Sequence, residues 1–362
     1  MNRIGQKSRV PTHASTADLI FPFEAPTASQ RMIEVASGVR WLRMPLPYAL
    51  DHINLWLLDD GEGATLIDTG VNTEEAIQVW RDIFDNGESP LTRVLVTHMH
   101  PDHIGLAGWL TRRFGIELWM SRLEYLTCRV MLSDGGCEVP PDAFTFHHQA
   151  GWNWREIENH RVRLGEFGSQ IHPLPSSYHS LRDGDVLRVG LHDWQVITGS
   201  GHSPEHVCLY CPTLGLLISG DQVLPSISSN VSVLALEPDA NPMESWLASL
   251  ERLKRMVPDN VLVLPAHGLC FRGLRARIDA LIAGQQRAFG RLTKALTVPL
   301  RAVDTFAFLF SRKIDDSIPM LLEMATGESI ACLNYLINIG AAGREIDGNG
   351  VAWYRAKNSN NL

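Results

Sequence analysis

No stretch of this 362-residue chain approaches the roughly 20 consecutive apolar residues that a helix needs to cross a bilayer, so no membrane partner is expected. Cysteine is scarce. Six in a chain this long are too few for a disulfide scaffold, and a reduced, cytoplasmic protein is expected. Excess positive charge is missing too: a net charge of −8 disfavours a dedicated nucleic-acid binder, whose phosphate contacts need a basic surface. Residues 1–26 carry early basic side chains with no continuous apolar run behind them, so no secretory leader is expected. Residues 1–30, rich in Ser, Thr, Pro and Ala, read as a flexible arm. With 45% apolar and 20% charged side chains, wholesale disorder is excluded. The length fits one large or two modest domains. From Cys270 onward 12 Lys/Arg stand against 8 Asp/Glu, with 20 against 32 before it, an asymmetry that points to two bodies.

Residues 52–69 hold two apolar runs around Asp-Asp-Gly-Glu-Gly, a hairpin pattern. Residues 73–84 follow as an amphipathic helix with Thr73 as N-cap and Ile77, Trp80 and Phe84 on one face. Buried strands at 91–97 and 116–120 flank a helical stretch that ends at Phe114 before Gly115. Strand–helix–strand alternation indicates an α/β layered domain over residues 31–270. Residues 121–180 interrupt it, opening helically over 122–132 and then turning loop-like, an insertion that reads as a lid or pocket wall. Strands resume at 186–189, 194–198, 207–210 and 214–219, then a helix at 242–256 and a strand at 261–264. Beyond a boundary near 270, helices at 271–296, 303–314 and 318–339 precede extended pieces around Asp-Gly-Asn-Gly, the order of a winged helix over 271–362.

The decisive stretch is His98-Met99-His100-Pro101-Asp102-His103, directly after an apolar strand. Three imidazoles and a carboxylate in six residues cannot share one face of a helix or strand, but a loop at a strand end can turn them toward one metal site. Burying them without a cation would cost several kcal/mol, on the order expected for unpaired ionisable groups. Three more candidates follow strands and stand close to Gly: His202 in Gly-His-Ser-Pro, Asp221 in Ser-Gly-Asp, and His267 in Pro-Ala-His-Gly.

With these motifs in order, the chain resembles the metallo-β-lactamase superfamily, whose signature His98-x-His100-x-Asp102-His103 matches. The resemblance implies a four-layer αββα sandwich with a binuclear site at one edge. By the family's pattern His98, His100 and His202 hold a first metal, Asp102, His103 and His267 a second, and Asp221 bridges them. Asp68, in Ile-Asp-Thr-Gly, matches the family's first motif, an acid that supports the metal loop. The C-terminal segment resembles a winged-helix module appended to some hydrolases of the superfamily. A packing or dimerisation role is expected for it, with a homodimer as the implied partner.

Two divalent cations would lower the pKa of a bridging water, and a metal-bridged hydroxide attacking a carboxylic thioester, ester or lactone is the expected chemistry. Asp102 is expected to act in catalysis as well, orienting that nucleophile and accepting its proton. Zinc suits these donors, and iron or manganese fits the same set. The aromatic insertion residues Trp119, Tyr125, Phe144, Phe146, Trp152, Trp154 and Phe167 are expected to form an apolar wall for an acyl or hydrophobic small-molecule substrate. Tyr178 and His179 are expected at the mouth as hydrogen-bond donors to a developing oxyanion. Ser226 and Asn230 are expected to face the cleft. Alternatives are phosphodiester hydrolysis of single-stranded nucleic acid and, less favoured, a redox di-iron protein or a β-lactamase. Cys208 and Cys211 read as core cysteines on opposite strand faces, and His147-His148 as a solvated loop pair.

Overall fold

A computed structural model describes residues 18–27, 32–133, 142–163 and 166–357. A first sheet holds seven strands in sequence order: β1 (Met32–Ala36), β2 (Val39–Pro45), β3 (His52–Asp60), β4 (Gly63–Ile67), β5 (Leu91–Leu95), β6 (Leu118–Ser121) and β7 (His179–Leu181). Pairing is antiparallel through β4 and parallel from there to β7. Helix α1 (Glu74–Asp85) joins β4 to β5, and α2 (Pro101–Ile104) with α3 (Ala107–Phe114) joins β5 to β6. Four helices lie between β6 and β7: α4 (Arg122–Ser133), α5 (Thr145–Ala150), α6 (Trp154–Arg161) and α7 (Glu166–Ser169).

The second sheet holds β8 (Val186–Val189), β9 (His192–Gly199), β10 (His206–Cys211), β11 (Leu216–Gly220) and β12 (Leu262–Pro265), in spatial order β12-β11-β10-β9-β8. Helix α8 (Pro242–Met256) carries the chain between the parallel neighbours β11 and β12. The chain continues through α9 (Leu274–Ala295), a 3-10 turn (Ala302–Thr305), α10 (Phe306–Leu309), α11 (Pro319–Asn338) and the hairpin β13 (Ala342–Ile346) and β14 (Ala352–Ala356).

Alternation along the strands sorts side chains into three cores. Ile53, Leu55 and Leu57 of β3 face Trp80 of α1 and Leu110 of α3, whereas Trp56 and Leu58 face the other sheet. Trp41 and Trp56 stack 5.8 Å apart between the sheets, beside Leu209 and Cys211. Cys208 and Tyr210 point the other way, toward Trp246 and Leu250 of α8 and Ile278 of α9. The result is an αββα sandwich, held chiefly by apolar burial worth roughly 1.5–3 kcal/mol per large side chain. Thr73 caps α1 by accepting from Ala76 N at 3.2 Å, as the sequence predicts.

Several expectations are corrected. Within the expected arm, residues 18–27 include a docked piece: Leu19 is buried, and Ile20 and Arg272 exchange backbone hydrogen bonds. The other arm residues lie outside the described ones, as do the glycines and prolines at 135–141. The insertion is more helical than its composition implies. In α6, Asn153 and Glu156 form a reciprocal capping box that offsets the short length. A single helix over 303–314 is not formed: α10 stops at Leu309, where the Arg291 guanidinium takes the carbonyls of Phe308 and Leu309. His147 is not solvated but buried at 4% exposure, while His148 hydrogen-bonds the Asn349 carbonyl. The aromatic residues do not gather into one wall. Tyr125 and Phe167 pack on the α1–α3 side, Trp119 against the core between the sheets, and Phe146 and Trp152 against the C-terminal helices, while Trp154 is 80% exposed. Each ring follows its own element onto the nearest core.

Candidate metal centre

The parallel strands bring their C-terminal ends, and the loops that follow, to one edge of the sandwich. Seven side chains from four distant segments meet there. The Nε2 of His98 lies 2.9 Å from His100 Nδ1 and 3.2 Å from His202 Nε2. On the other side, His267 Nε2 lies 3.3 Å from Asp102 Oδ2, and His103 Nε2 is 3.7 Å from that same oxygen. Asp221 stands between them. Its Oδ2 is 3.4 Å from His202 Nε2, and its Oδ1 is 3.6 Å from His103 Nε2 and 3.5 Å from His267 Nε2. Glycines make room for this approach. A Cβ on Gly220 (φ +49°) would sit 2.5 Å from His206 Nε2, and one on Gly201 (φ +109°) 2.4 Å from Trp246 Cβ.

The tautomers follow from the partners. A carbonyl or carboxylate only accepts, so Nδ1–H of His202 donates to Asn230 O (2.7 Å), that of His267 to His52 O (2.8 Å) and that of His103 to Asp68 Oδ2 (2.7 Å). Thr97 donates its hydroxyl to Asp68 Oδ2 (2.8 Å) and accepts from His98 Nδ1 (3.1 Å). The four Nε2 atoms therefore converge, each ring already donating through Nδ1, and the buried His103 Nε2 and Asp221 Oδ1 have no hydrogen-bond partner. Burial, with His103 and the other imidazoles around it, holds His98 well below its ordinary pKa, in the neutral form that ligates. Around His103, burial is outweighed by Asp68, Asp102 and Asp221, which raise its pKa well above the ordinary value. Divalent cations are the chemical solution to such a donor set, and the residues fit them.

Comparison with known proteins gives the same reading. The sequence matches the "Metallo-beta-lactamase superfamily" over residues 49–129 and 138–267, and the family described as "Metallo-beta-lactamase-like, C-terminal domain" over 289–357. The chain belongs to the metallo-beta-lactamase superfamily. A superfamily structure, a beta-lactamase domain protein from Burkholderia ambifaria, is 38% identical with a TM-score of 0.86, over 94% of this chain and 99% of that one. A second, a metallo-beta-lactamase family protein from Thermus thermophilus, is 27% identical with a TM-score of 0.73, over 90% of this chain and 100% of that one. Among curated relatives, "Probable metallo-hydrolase YqjP" of Bacillus subtilis is 25% identical over 66% of this chain and 74% of its own length. An atrochrysone carboxyl ACP thioesterase of Cryptosporiopsis sp. is 23% identical over 70% of this chain, which spans 60% of that enzyme's length. The hydroxyacylglutathione hydrolase of Rhodobacter capsulatus is 27% identical over 50% of this chain and 51% of that enzyme.

Within this superfamily framework, further side chains fix the ligand loops. Asp68 adopts a left-handed conformation (φ +60°), alone among the described non-glycine residues, and accepts from Thr97 N at 2.8 Å as well as from His103. Sequence reading missed Glu124 of α4, whose fully buried carboxylate accepts from Met99 N (3.0 Å), Ser203 Oγ (2.6 Å) and Glu205 N (2.7 Å). It ties the His98–His103 loop to the His202 loop. Missed too were His206, which accepts from Asp221 N at 3.1 Å, and Asn54, which donates to the carbonyls of Pro265 and Gly268 on either side of His267. Their partners are remote in sequence, and only the His206 stretch (Ser-Pro-Glu-His) stood close enough to a motif to give a signal.

Other expected residues stand elsewhere or act differently. Tyr178 stacks on Tyr125 at 3.9 Å. His179 opens β7, where it stacks on Trp119 and pairs with Glu117 Oε2 at 2.6 Å, at the strand start rather than at the ligand-bearing end. Both rings pack on neighbouring aromatic side chains. Ser226 lies beside Gly268, its Oγ about 4.0 Å from where a Cβ would sit. Asn230 contributes through its backbone carbonyl to His202, while its side-chain amide donates to Glu328 Oε2 at 2.8 Å.

Proposed function

We propose that this metallo-hydrolase cleaves carboxylic thioesters or esters, lactones included, at a binuclear centre, with zinc first among the cations that suit its donors and iron or manganese compatible with the same set. The observation that carries the reading is the division of Asp221, one carboxylate oxygen toward each of two ligand groups. His98, His100 and His202 would hold one cation and Asp102, His103 and His267 the other, with Asp221 shared. Bound there, two divalent ions would supply Lewis-acid polarisation of a carbonyl and a water acidic enough to ionise near pH 7. The chain's own contribution is orientation. Nδ1–H bonds to Asp68, Asn230 O and His52 O lock three imidazoles, and Glu124 holds two of the loops in register.

Asp102, with 17% of its side chain exposed at the edge of the cluster, is placed to orient a water and take its proton. Burial opposes its ionisation, but His103 and His267 more than offset this and lower its pKa. The acyl preference is supported by the thioesterase among the relatives. No helix among the described residues is long and apolar enough to cross a membrane, and the five described cysteines are buried and free.

The test is a hydrolase panel on metal-quantified protein spanning acyl-CoA and glutathione thioesters, lactones, p-nitrophenyl esters, bis-p-nitrophenyl phosphate and single-stranded RNA. Turnover confined to the acyl compounds is expected, and turnover confined to the phosphodiesters overturns the substrate class. Asp102→Asn should lose turnover, and retention of both full metal occupancy and wild-type rate would eliminate its proton role.

A further inference from the structure

A second cluster of ligating side chains lies outside the centre just described. One ligand atom each from His147 on α5, His160 on α6 and Glu323 on α11 lie within 4.8 Å of one another. The two imidazole rings are 4.4 Å apart between centroids, and His160 Nδ1 is 3.7 Å from Glu323 Oε2. His147 is 4% exposed, and its Nδ1 has no hydrogen-bond partner. A buried ring nitrogen with nothing to bond to is destabilising, so the arrangement calls for a compensating group.

We propose that His147, His160 and Glu323 form a third metal site, of the zinc class, that clips the insertion to helix α11. Two imidazoles and one carboxylate are a borderline-soft donor set suited to tetrahedral Zn²⁺, with the fourth position left to water. Access from solvent comes from the Glu323 side, where the carboxylate side chain is 53% exposed, while Trp152 closes the inner side with its ring 4.5 Å from His147. Burial and the neighbouring His160 push the His147 pKa down to about 3, so its ring is neutral and ligand-ready at pH 7 without competition from protons. The clip is seated on an existing joint. Trp152 Nε1 donates to Thr326 Oγ1 at 2.9 Å, one turn along α11 from Glu323. The site shares no residue with the centre at the sheet edge, and it goes beyond the hydrolase reading.

The experiment counts zinc. Full-length protein loaded with Zn²⁺ and cleared of excess by gel filtration is measured by inductively coupled plasma mass spectrometry. Three equivalents are expected for the wild type and two for His160→Gln and for Glu323→Gln. The second variant changes an exposed side chain and leaves the fold intact. Zinc titration should show the remaining two equivalents unaltered and at least a tenfold loss of affinity for the third. In a His98→Ala/His267→Ala background one equivalent should persist and then disappear on adding Glu323→Gln, a result that holds even if the sheet-edge centre takes fewer cations than proposed. A zinc count that neither His160→Gln nor Glu323→Gln changes overturns the proposal.

Discussion

Glu124→Gln probes how the ligand loops are held together, and its size can be worked from three distances. The carboxylate takes Ser203 Oγ (2.6 Å) and Glu205 N (2.7 Å) on one oxygen and Met99 N (3.0 Å) on the other. A glutamine in the same rotamer has one acceptor oxygen. Keeping it toward Ser203 and Glu205 leaves the Met99 N–H unpaired; the flipped form strands the Glu205 N–H instead and breaks the two shorter bonds, so the first orientation wins. The NH₂ then faces the buried Met99 N–H, donor against donor, at a cost of about 1–3 kcal/mol. Replacing charge-assisted bonds by neutral ones adds about 1 kcal/mol. Burial acts in the opposite sense, because it pushes the Glu124 carboxyl above its usual pKa and removing the charge relieves that penalty. The net expectation is a loss of about 2 kcal/mol in urea unfolding with an unchanged slope. Met99 lies between His98 and His100, so the first ligand group should also bind its cation roughly 10–100-fold more weakly. An unaltered midpoint together with unaltered affinity would refute the claim that this carboxylate aligns the loops.

Asp68→Asn keeps the left-handed backbone, which asparagine tolerates, but points an amide or a weaker acceptor at His103 Nδ1; the second ligand group should lose roughly 10–100-fold in metal affinity while the first is spared, as read by competitive chelation. Glu328 gives a pH prediction. Burial raises its pKa from 4.5 to about 7, against the pull of the Asn230 hydrogen bond. The folded state thus holds its proton more tightly than the unfolded state. That contribution is fully present below about pH 4.5 and lost as pH rises through about 7, with an upper bound of about 3 kcal/mol. Glu328→Gln should therefore stabilise the protein relative to wild type at pH 8 and change little at pH 4.5, as followed by denaturant midpoints at both pH values.

What the sequence made legible is local. Each ligand loop follows a short apolar run and stands next to Gly, Pro or Asp, so strand, turn and ligand all lie within a ten-residue window. Strand and helix order indicated an α/β layered domain, the four layers were what the superfamily resemblance implied, and Cys208 and Cys211 do face opposite cores as strand periodicity requires. What stayed hidden depends on distance. Glu124 bonds residues 25, 79 and 81 positions away, and nothing in Arg-Leu-Glu-Tyr distinguishes it from a solvated helix face. The aromatic wall failed for a related reason: composition cannot say which core a ring will join. Helix α6 was readable in principle from Asn153-x-x-Glu156, but its polar, eight-residue length masked the signal.

The outer face of the second sheet is covered by chain that comes much later. Ile197, Cys208 and Tyr210 share their core with α8 and α9, and with Leu322, Ile330 and Leu333 of α11. During synthesis the part of that surface covered by α11 waits for residues more than 100 positions downstream, which at 5–20 residues per second is on the order of ten seconds. A nascent chain stalled near position 270 would carry α8 but neither α9 nor α11 over that face, so ribosome-bound fragments ending there should be chaperone clients and poor candidates for soluble expression.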